Sequence, residues 1–97
     1  MQKTIYIAGK MAGLPDHDRW HFREAEKRLR EAGYIVLNPA ALPDGMSADK
    51  YMPICLAMLE AADAIYMLVG WRDSLGARLE RGYAQYQGKE IFEEMTL

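Results

Sequence analysis

The sequence has a single cysteine, Cys55, four prolines and two histidines among its 97 residues. A lone thiol closes no internal disulfide and builds no zinc site by itself, and His17 and His21 do not stand in a convincing ligand spacing. No metal and no cofactor is therefore expected. Basic charge is also in short supply. Twelve Lys plus Arg against fourteen Asp plus Glu leave a net charge of −2 and a pI near 5.6. That balance lacks the positive field that holds a polyanion, so a nucleic acid polymer is not an expected partner. No stretch approaches the roughly 18 apolar residues of a membrane span, and the start, MQKTIYIAGKMAG, offers too short an apolar run for a signal-peptide core. A cytoplasmic location with no membrane partner follows as the expectation. What is present is ordinary for a folded protein, 51% hydrophobic and 27% charged, and the length suits one hydrophobic core but not two. Residues 1–97 are expected to form one unit.

The order of elements is legible from the periodicities. Lys3 to Ala8 (KTIYIA) is β-branched and aromatic and runs into Gly9, as a strand entering a turn does. From Asp18 to Ala32 the apolar residues Phe22, Ala25, Leu29 and Ala32 recur at helical spacing among Arg, Lys and Glu, with Gly33 in place to end the helix. Tyr34 to Leu37 reads as a second strand closed by Asn38-Pro39. A second helix runs to Ala62 from Ala48 or Met52; Ser47 suits a cap for the earlier start, and Pro53 suits a first turn. Ala64 to Val69 is a third strand, Ser74 to Gln87 a third helix, and Glu90 to Phe92 opens a fourth strand. The βαβαβαβ pattern predicts an α/β fold of the flavodoxin or Rossmann type, a small, mostly parallel sheet with helices on both faces. Ligands of such sheets bind outside the carboxyl ends of the strands, which directs attention to the loops after Ala8, Leu37 and Val69.

In the first of those loops, Gly9-Lys10-Met11-Ala12-Gly13, the glycines either permit a turn or let backbone N–H groups cradle a phosphate. The third helix begins Ser74-Leu75-Gly76, a hydroxyl and a glycine at the positive end of a helix dipole. Farther along, Glu80 shares a face with the small residues Gly76, Ala77 and Ala84. The larger apolar residues Leu75, Leu79, Tyr83 and Tyr86, with Gly82, suggest a core stripe beside it, with Arg78, Arg81 and Gln85 on the outer side. Glu80 then lies at a boundary, either as a surface carboxylate or as a nucleophile able to attack an anomeric carbon. Tyr6 on the first strand is either a core aromatic or the hydroxyl that orients such a nucleophile.

The stretches IYIAGKMAG, Asn38-Pro39-Ala40, AADAIYMLVGW from Ala61 to Trp71 and SLGARLERGYAQYQGK from Ser74 to Lys89 resemble the nucleoside 2-deoxyribosyltransferase superfamily over essentially the whole chain. The resemblance is strongest to its small phage and prophage members of unsettled function, and Ser-Leu-Gly followed by Glu80 is also similar to the 2′-deoxynucleoside 5′-monophosphate N-glycosidases. It implies that Glu80 is the nucleophile forming a deoxyribosyl ester, that Tyr6 orients it, and that Asp73 helps position the substrate. It further implies that Gly9, Lys10, Met11, Gly13, Asn38, Ser74 and Gly76 bind substrate or its phosphate. The partner would be a nucleoside or nucleoside monophosphate, and the reaction hydrolysis or transfer at the N-glycosidic bond. One departure stands out. Eight residues before Asp63, where the superfamily carries a second acidic residue, this chain has Cys55, a poorer proton donor than a carboxyl group. A catalytically weak nucleotide-binding or sensing protein of the same fold is therefore the alternative.

Between Tyr51 and Ala62 only Glu60 is charged, and apolar residues surround more than one face of the helix. One sheet does not cover them all, so a homo-oligomer, a dimer or higher, is expected. Met58 is taken as one outward member of that face.

Overall fold

The computed structural model describes residues 2–95. Four strands, β1 (Thr4–Ala8), β2 (Ile35–Leu37), β3 (Ala64–Met67) and β4 (Glu90–Glu93), form one sheet in the order β2-β1-β3-β4. All three pairings are parallel, with Ile5 opposite both Val36 and Ala64, and Ile65 opposite Ile91. The helices are α1 (Arg19–Glu31), α2 (Ala48–Ala61) and α3 (Leu75–Tyr86). None of the helices among the described residues is long and apolar enough to cross a membrane.

Alternation along β1 and β3 assigns the two faces. Ile5, Ile7, Ala64 and Leu68 pack with Phe22, Ala25 and Leu29 of α1. Tyr6, Ala8, Ile65 and Met67 face the other way, onto Leu59 of α2 and Ala77 and Ala84 of α3. The sheet is thus covered on both sides, as its uninterrupted apolar strands require. Strand order reverses between β1 and β3, because the chain moves outward to β2 on one side and to β3 and β4 on the other. Asp63, the residue before β3, fastens that junction: its carboxylate accepts from the Thr4 amide at 2.9 Å, and its own amide donates to the Thr4 carbonyl at 2.8 Å.

Element limits differ from the sequence expectation by a residue or two, with one informative case. β3 stops at Met67 rather than Val69, since β1 has already turned away at Gly9. Pro53 lies inside α2 rather than in its first turn, and Ser47 makes no side-chain cap. The larger correction concerns α3. Leu75, Leu79 and Tyr86 point away from the sheet, 66%, 55% and 88% exposed, while Ala77, Glu80 and Ala84 are buried. The face that meets the sheet is the small-residue face, because alanines let the helix backbone approach β1 and β3 closely. Arg81 is not on the outer side either. It is partly buried and stacks on the Trp71 ring at 4.9 Å, with Arg72 over the same ring at 4.5 Å. Met58, expected to point outward, packs against the core.

The connection from β1 to α1 contains an uncommon backbone. Asp16, His17 and Asp18 have φ of 49°, 53° and 60° and form a short left-handed turn without a glycine. Such a conformation costs an L-residue about 1–2 kcal/mol, so the surroundings must hold it. Arg19 pairs with Asp16 at 2.7 Å and also with Asp44 from the loop before α2. His21 bridges Asp18 and Glu94, its Nδ1 lying 2.9 Å from Asp18 Oδ2 and its Nε2 2.7 Å from Glu94 Oε1. Ionised carboxylates only accept, so the two contacts together favour the imidazolium, in which both ring nitrogens donate. Burial opposes that charge, but the hydrogen bonds to Asp18 and Glu94 outweigh it and raise the His21 pKa above its ordinary value. Glu94 also accepts from Arg28 at 2.8 Å and from the Val69 amide at 2.9 Å, joining the end of β4 to α1 and β3.

Candidate active site

At the carboxyl end of β1, the first loop, the segment after β2, α2 and α3 enclose a cavity of about 390 Å³. Its wall is mainly apolar, with Met11, Pro39, Leu42, Met46 and Met52 among the lining side chains. Its polar groups are few: Tyr6, His17, Tyr51, Cys55, Ser74 and Glu80. This is where a doubly wound sheet places a ligand. A wider depression of about 490 Å³ on the α1 side is lined by Tyr34, Tyr66 and Phe92, with Glu94 there already bound to Arg28 and His21.

The floor of the cavity carries its reactive pair. The Tyr6 hydroxyl donates to Glu80 Oε2 at 2.6 Å, bridging the central strand and α3. Glu80 is 6% exposed and has no cation beside it in a hydrogen bond or ion pair among the described residues. Burial raises its pKa from 4.5 to about 7, against the opposing effect of the Tyr6 hydrogen bond. The Tyr6 pKa rises well above its usual value, through burial first and the nearby Glu80 charge second. Cys55 lies against both, and burial pushes its thiol pKa up as well. A buried carboxyl group held at one oxygen by a phenol, at the base of an apolar cavity, can serve either as a proton donor or, once ionised, as a positioned nucleophile.

The mouth of the same cavity takes shape from backbone requirements. A Cβ on Gly9 would meet Leu68 Cβ and Cδ1 at 3.0 Å, so glycine is what lets the first loop turn across the end of β3. A Cβ on Gly76 would lie 3.3 Å from Met52 Cε, so the Met52 side chain from α2 packs directly over the start of α3 beside the cavity. Ser74 caps α3, its Oγ accepting from the Ala77 amide at 3.1 Å.

Of the residues expected to form the site, Tyr6, Gly9, Met11, Cys55, Ser74, Gly76 and Glu80 line this cavity together. Lys10, Gly13, Asn38 and Asp73 are not among its lining residues. Asn38 is buried for another purpose: its amide nitrogen donates to Glu26 Oε1 at 2.9 Å, and its oxygen accepts from the Ala40 amide at 2.8 Å. Asp73 and Gly13 are exposed. Sequence reasoning missed His17, Tyr51, Met46 and Met52. Tyr51 is fixed by donating to the Pro43 carbonyl. His17 carried only one signal, its place in a loop that follows a strand of the sheet. Among the described residues no group of three or more His, Cys, Asp or Glu side chains is placed to hold a metal ion.

The fold is that of the nucleoside 2-deoxyribosyltransferases. It is similar to the solved structure of a 2-desoxiribosyltransferase from Leishmania mexicana, with a TM-score of 0.76 and 26% identity over 94% of this chain and 63% of that one. It is also similar to a 2-deoxyribosyltransferase from the psychrotolerant bacterium Bacillus psychrosaccharolyticus, with a TM-score of 0.74 and 21% identity over 97% of this chain and 77% of that one. The chain thus spans less than two thirds of the length of the Leishmania protein. No curated protein matches it. A family model described as a domain of unknown function, DUF4406, matches residues 3–93, and the chain belongs to that family.

Proposed function

We propose that this protein cleaves the N-glycosidic bond of a 2-deoxynucleoside, with Glu80 as the nucleophile and Tyr6 holding it. The observation that carries the reading is the 2.6 Å hydrogen bond from Tyr6 to a buried Glu80 at the floor of an apolar cavity. A carboxylate held at one oxygen presents the other to an anomeric carbon as oxocarbenium character develops there, and the resulting ester is released by water or by a second base. The apolar wall suits a nucleobase. Among the described residues no lysine or arginine lines the cavity, so a 5′-phosphate would have no permanently charged side chain to hold it and would rely on groups such as Ser74 and the start of α3. Nucleosides are accordingly expected to be better substrates than their monophosphates. The test is incubation with a panel of ribo- and 2-deoxynucleosides and their monophosphates, with and without a free acceptor base. Chromatography should show free base from 2-deoxynucleosides, and no release from any member would refute the reading.

Cys55 favours a second reading. At the place where the resemblance implies an acidic residue, a thiol with a raised pKa contributes little to proton transfer. If calorimetry detects nucleoside binding while chromatography detects no free base, the protein is a binding or sensing protein built on the same cavity.

The exposed stripe on α3 supports self-association. Leu75, Leu79 and Tyr86 project outward with the open Gly82 between them, and Ile54 of α2 is also exposed. The spacing of Leu75, Leu79, Gly82 and Tyr86 is that of a helix–helix seam, and a second copy would cover it. Leu79→Lys is expected to weaken the association ten- to hundred-fold, about what removing one buried leucine contact costs. Light scattering across a concentration series checks this, and a wild-type chain that stays monomeric at high concentration rules it out.

A further inference from the structure

We infer that His17 is the acid that protonates the departing nucleobase, and that it then serves as the base that activates the attacking water. The inference rests on the glycosidic reading of the cavity. It starts from an inventory of the groups in the wall that hold a transferable proton. Tyr6 spends its hydroxyl proton on Glu80, and Tyr51 donates to the Pro43 carbonyl. Ser74 is a poor acid by nature and caps α3. The Cys55 thiol is made a weaker acid by burial, and Glu80 must be ionised to attack. His17 is the remaining titratable group of the lining, and imidazole is the side chain best suited to passing a proton near neutral pH.

Position agrees with that role. Glu80 lies on the buried floor, whereas the His17 side chain is 52% exposed at the rim. Displacement at an anomeric carbon is in line, so a sugar attacked from the floor expels its base toward the rim. His17 lines the cavity from a left-handed backbone, flanked by two more left-handed residues. Strain of this kind is concentrated where a side chain must be aimed. The Asp44 carboxylate lies 4.0 Å from His17 Nε2, on the solvent side of the ring. Arg19 pairs with both Asp44 and Asp16 and so ties this turn to the loop before α2.

The step balances. A Glu80 oxygen forms a bond to C1′ as the C1′–N bond breaks and its electron pair passes to the base. The imidazolium N–H of His17 delivers the proton that makes the base neutral. Neutral His17 then takes a proton from water as the water oxygen attacks C1′, Glu80 leaves as carboxylate, and His17 returns to its starting charge.

His17→Asn is the variant of choice, because asparagine tolerates the left-handed backbone but transfers no proton. It is compared with wild type on a 2-deoxynucleoside and on an activated 2-deoxyriboside whose leaving group, 4-nitrophenolate, departs without protonation. The expected result is a loss on the order of 100-fold or more in base release, with 4-nitrophenolate release during formation of the ester unchanged in single-turnover measurements. Equal losses on both substrates, or no loss on either, would overturn the assignment while leaving the glycosidic reading in place. Wild type that releases the nitrophenolate but no nucleobase would overturn it too. Wild type inactive on both would remove the glycosidic reading itself and this role with it.

Discussion

Glu80→Gln is expected to abolish base release, with a loss on the order of 10⁴-fold or more in kcat, while the chain still folds. Glutamine keeps the shape and still accepts the hydrogen bond that Tyr6 donates at 2.6 Å, so the cavity floor stays intact. What disappears is, among the described residues, the one carboxylate of the cavity wall, and losses of that size are usual when a nucleophile is removed from a cooperating set. Single-turnover chromatography on the purified variant is the measurement, with circular dichroism to show that the fold is retained. Base release at the wild-type rate from a folded Glu80→Gln protein would dispose of the nucleophile. For wild type, burial has placed the Glu80 pKa at about 7, so the acidic limb of the pH profile should fall near neutrality rather than in the ordinary carboxylate range.

The same variant is expected to be markedly more stable than wild type in alkaline solution. A carboxyl group whose pKa is about 7 when folded and 4.5 when not keeps its proton in the folded state after the unfolded chain has lost it. Its contribution to stability is therefore full below pH 4.5 and disappears as the pH rises to about 7, a loss of about 3 kcal/mol. Glutamine never ionises and escapes that loss. At pH 8 the Glu80→Gln protein should melt roughly 10 °C or more above wild type, given the usual response of a domain of this size, and the gap should close at pH 4.5. His21 adds a slope of the same sign. Its pKa is raised above 6.5, so its bridge between Asp18 and Glu94 is fully present below 6.5 and is lost as the pH rises through the folded value. A His21→Ala protein should therefore lose part of the remaining slope. Melting curves taken from pH 4.5 to 9 check both, and a Glu80→Gln protein no more stable than wild type at pH 8 would contradict the buried, uncompensated carboxylate.

The sequence made the sheet and its order of elements legible because KTIYIA, YIVL and AIYMLV are short apolar runs and the intervening segments are not. It also singled out Glu80, Tyr6 and Cys55, which the fold brings together from α3, β1 and α2. Reading α3 by hydrophobicity failed at Leu75, Leu79 and Tyr86. Periodicity identifies an apolar stripe but not which surface it meets, and against this sheet the demand for close approach selects Ala77 and Ala84 instead. Asn38 illustrates the converse: the resemblance implies a substrate contact, whereas its visible partners are Glu26 and the Ala40 amide, a local role that only the folded chain reveals. His17 was marked only by its loop, for a different reason. Its direction depends on a left-handed turn with no glycine to announce it, held by Arg19 and His21 reaching to Asp44 and Glu94, and such long-range tethers leave no periodic trace.

The topology has a consequence for how the chain is made. β1 emerges first yet belongs at the centre, and its link to the start of β3 joins Thr4 to Asp63, 59 positions apart. At ordinary synthesis rates that interval lasts roughly 3–12 s, during which an apolar strand, TIYIA, has β2 on one edge and nothing on the other. An open strand edge of this kind is a template for pairing with a neighbouring chain. Yield of soluble protein should therefore track translation speed and chaperone supply more closely than it tracks the stability of the finished fold.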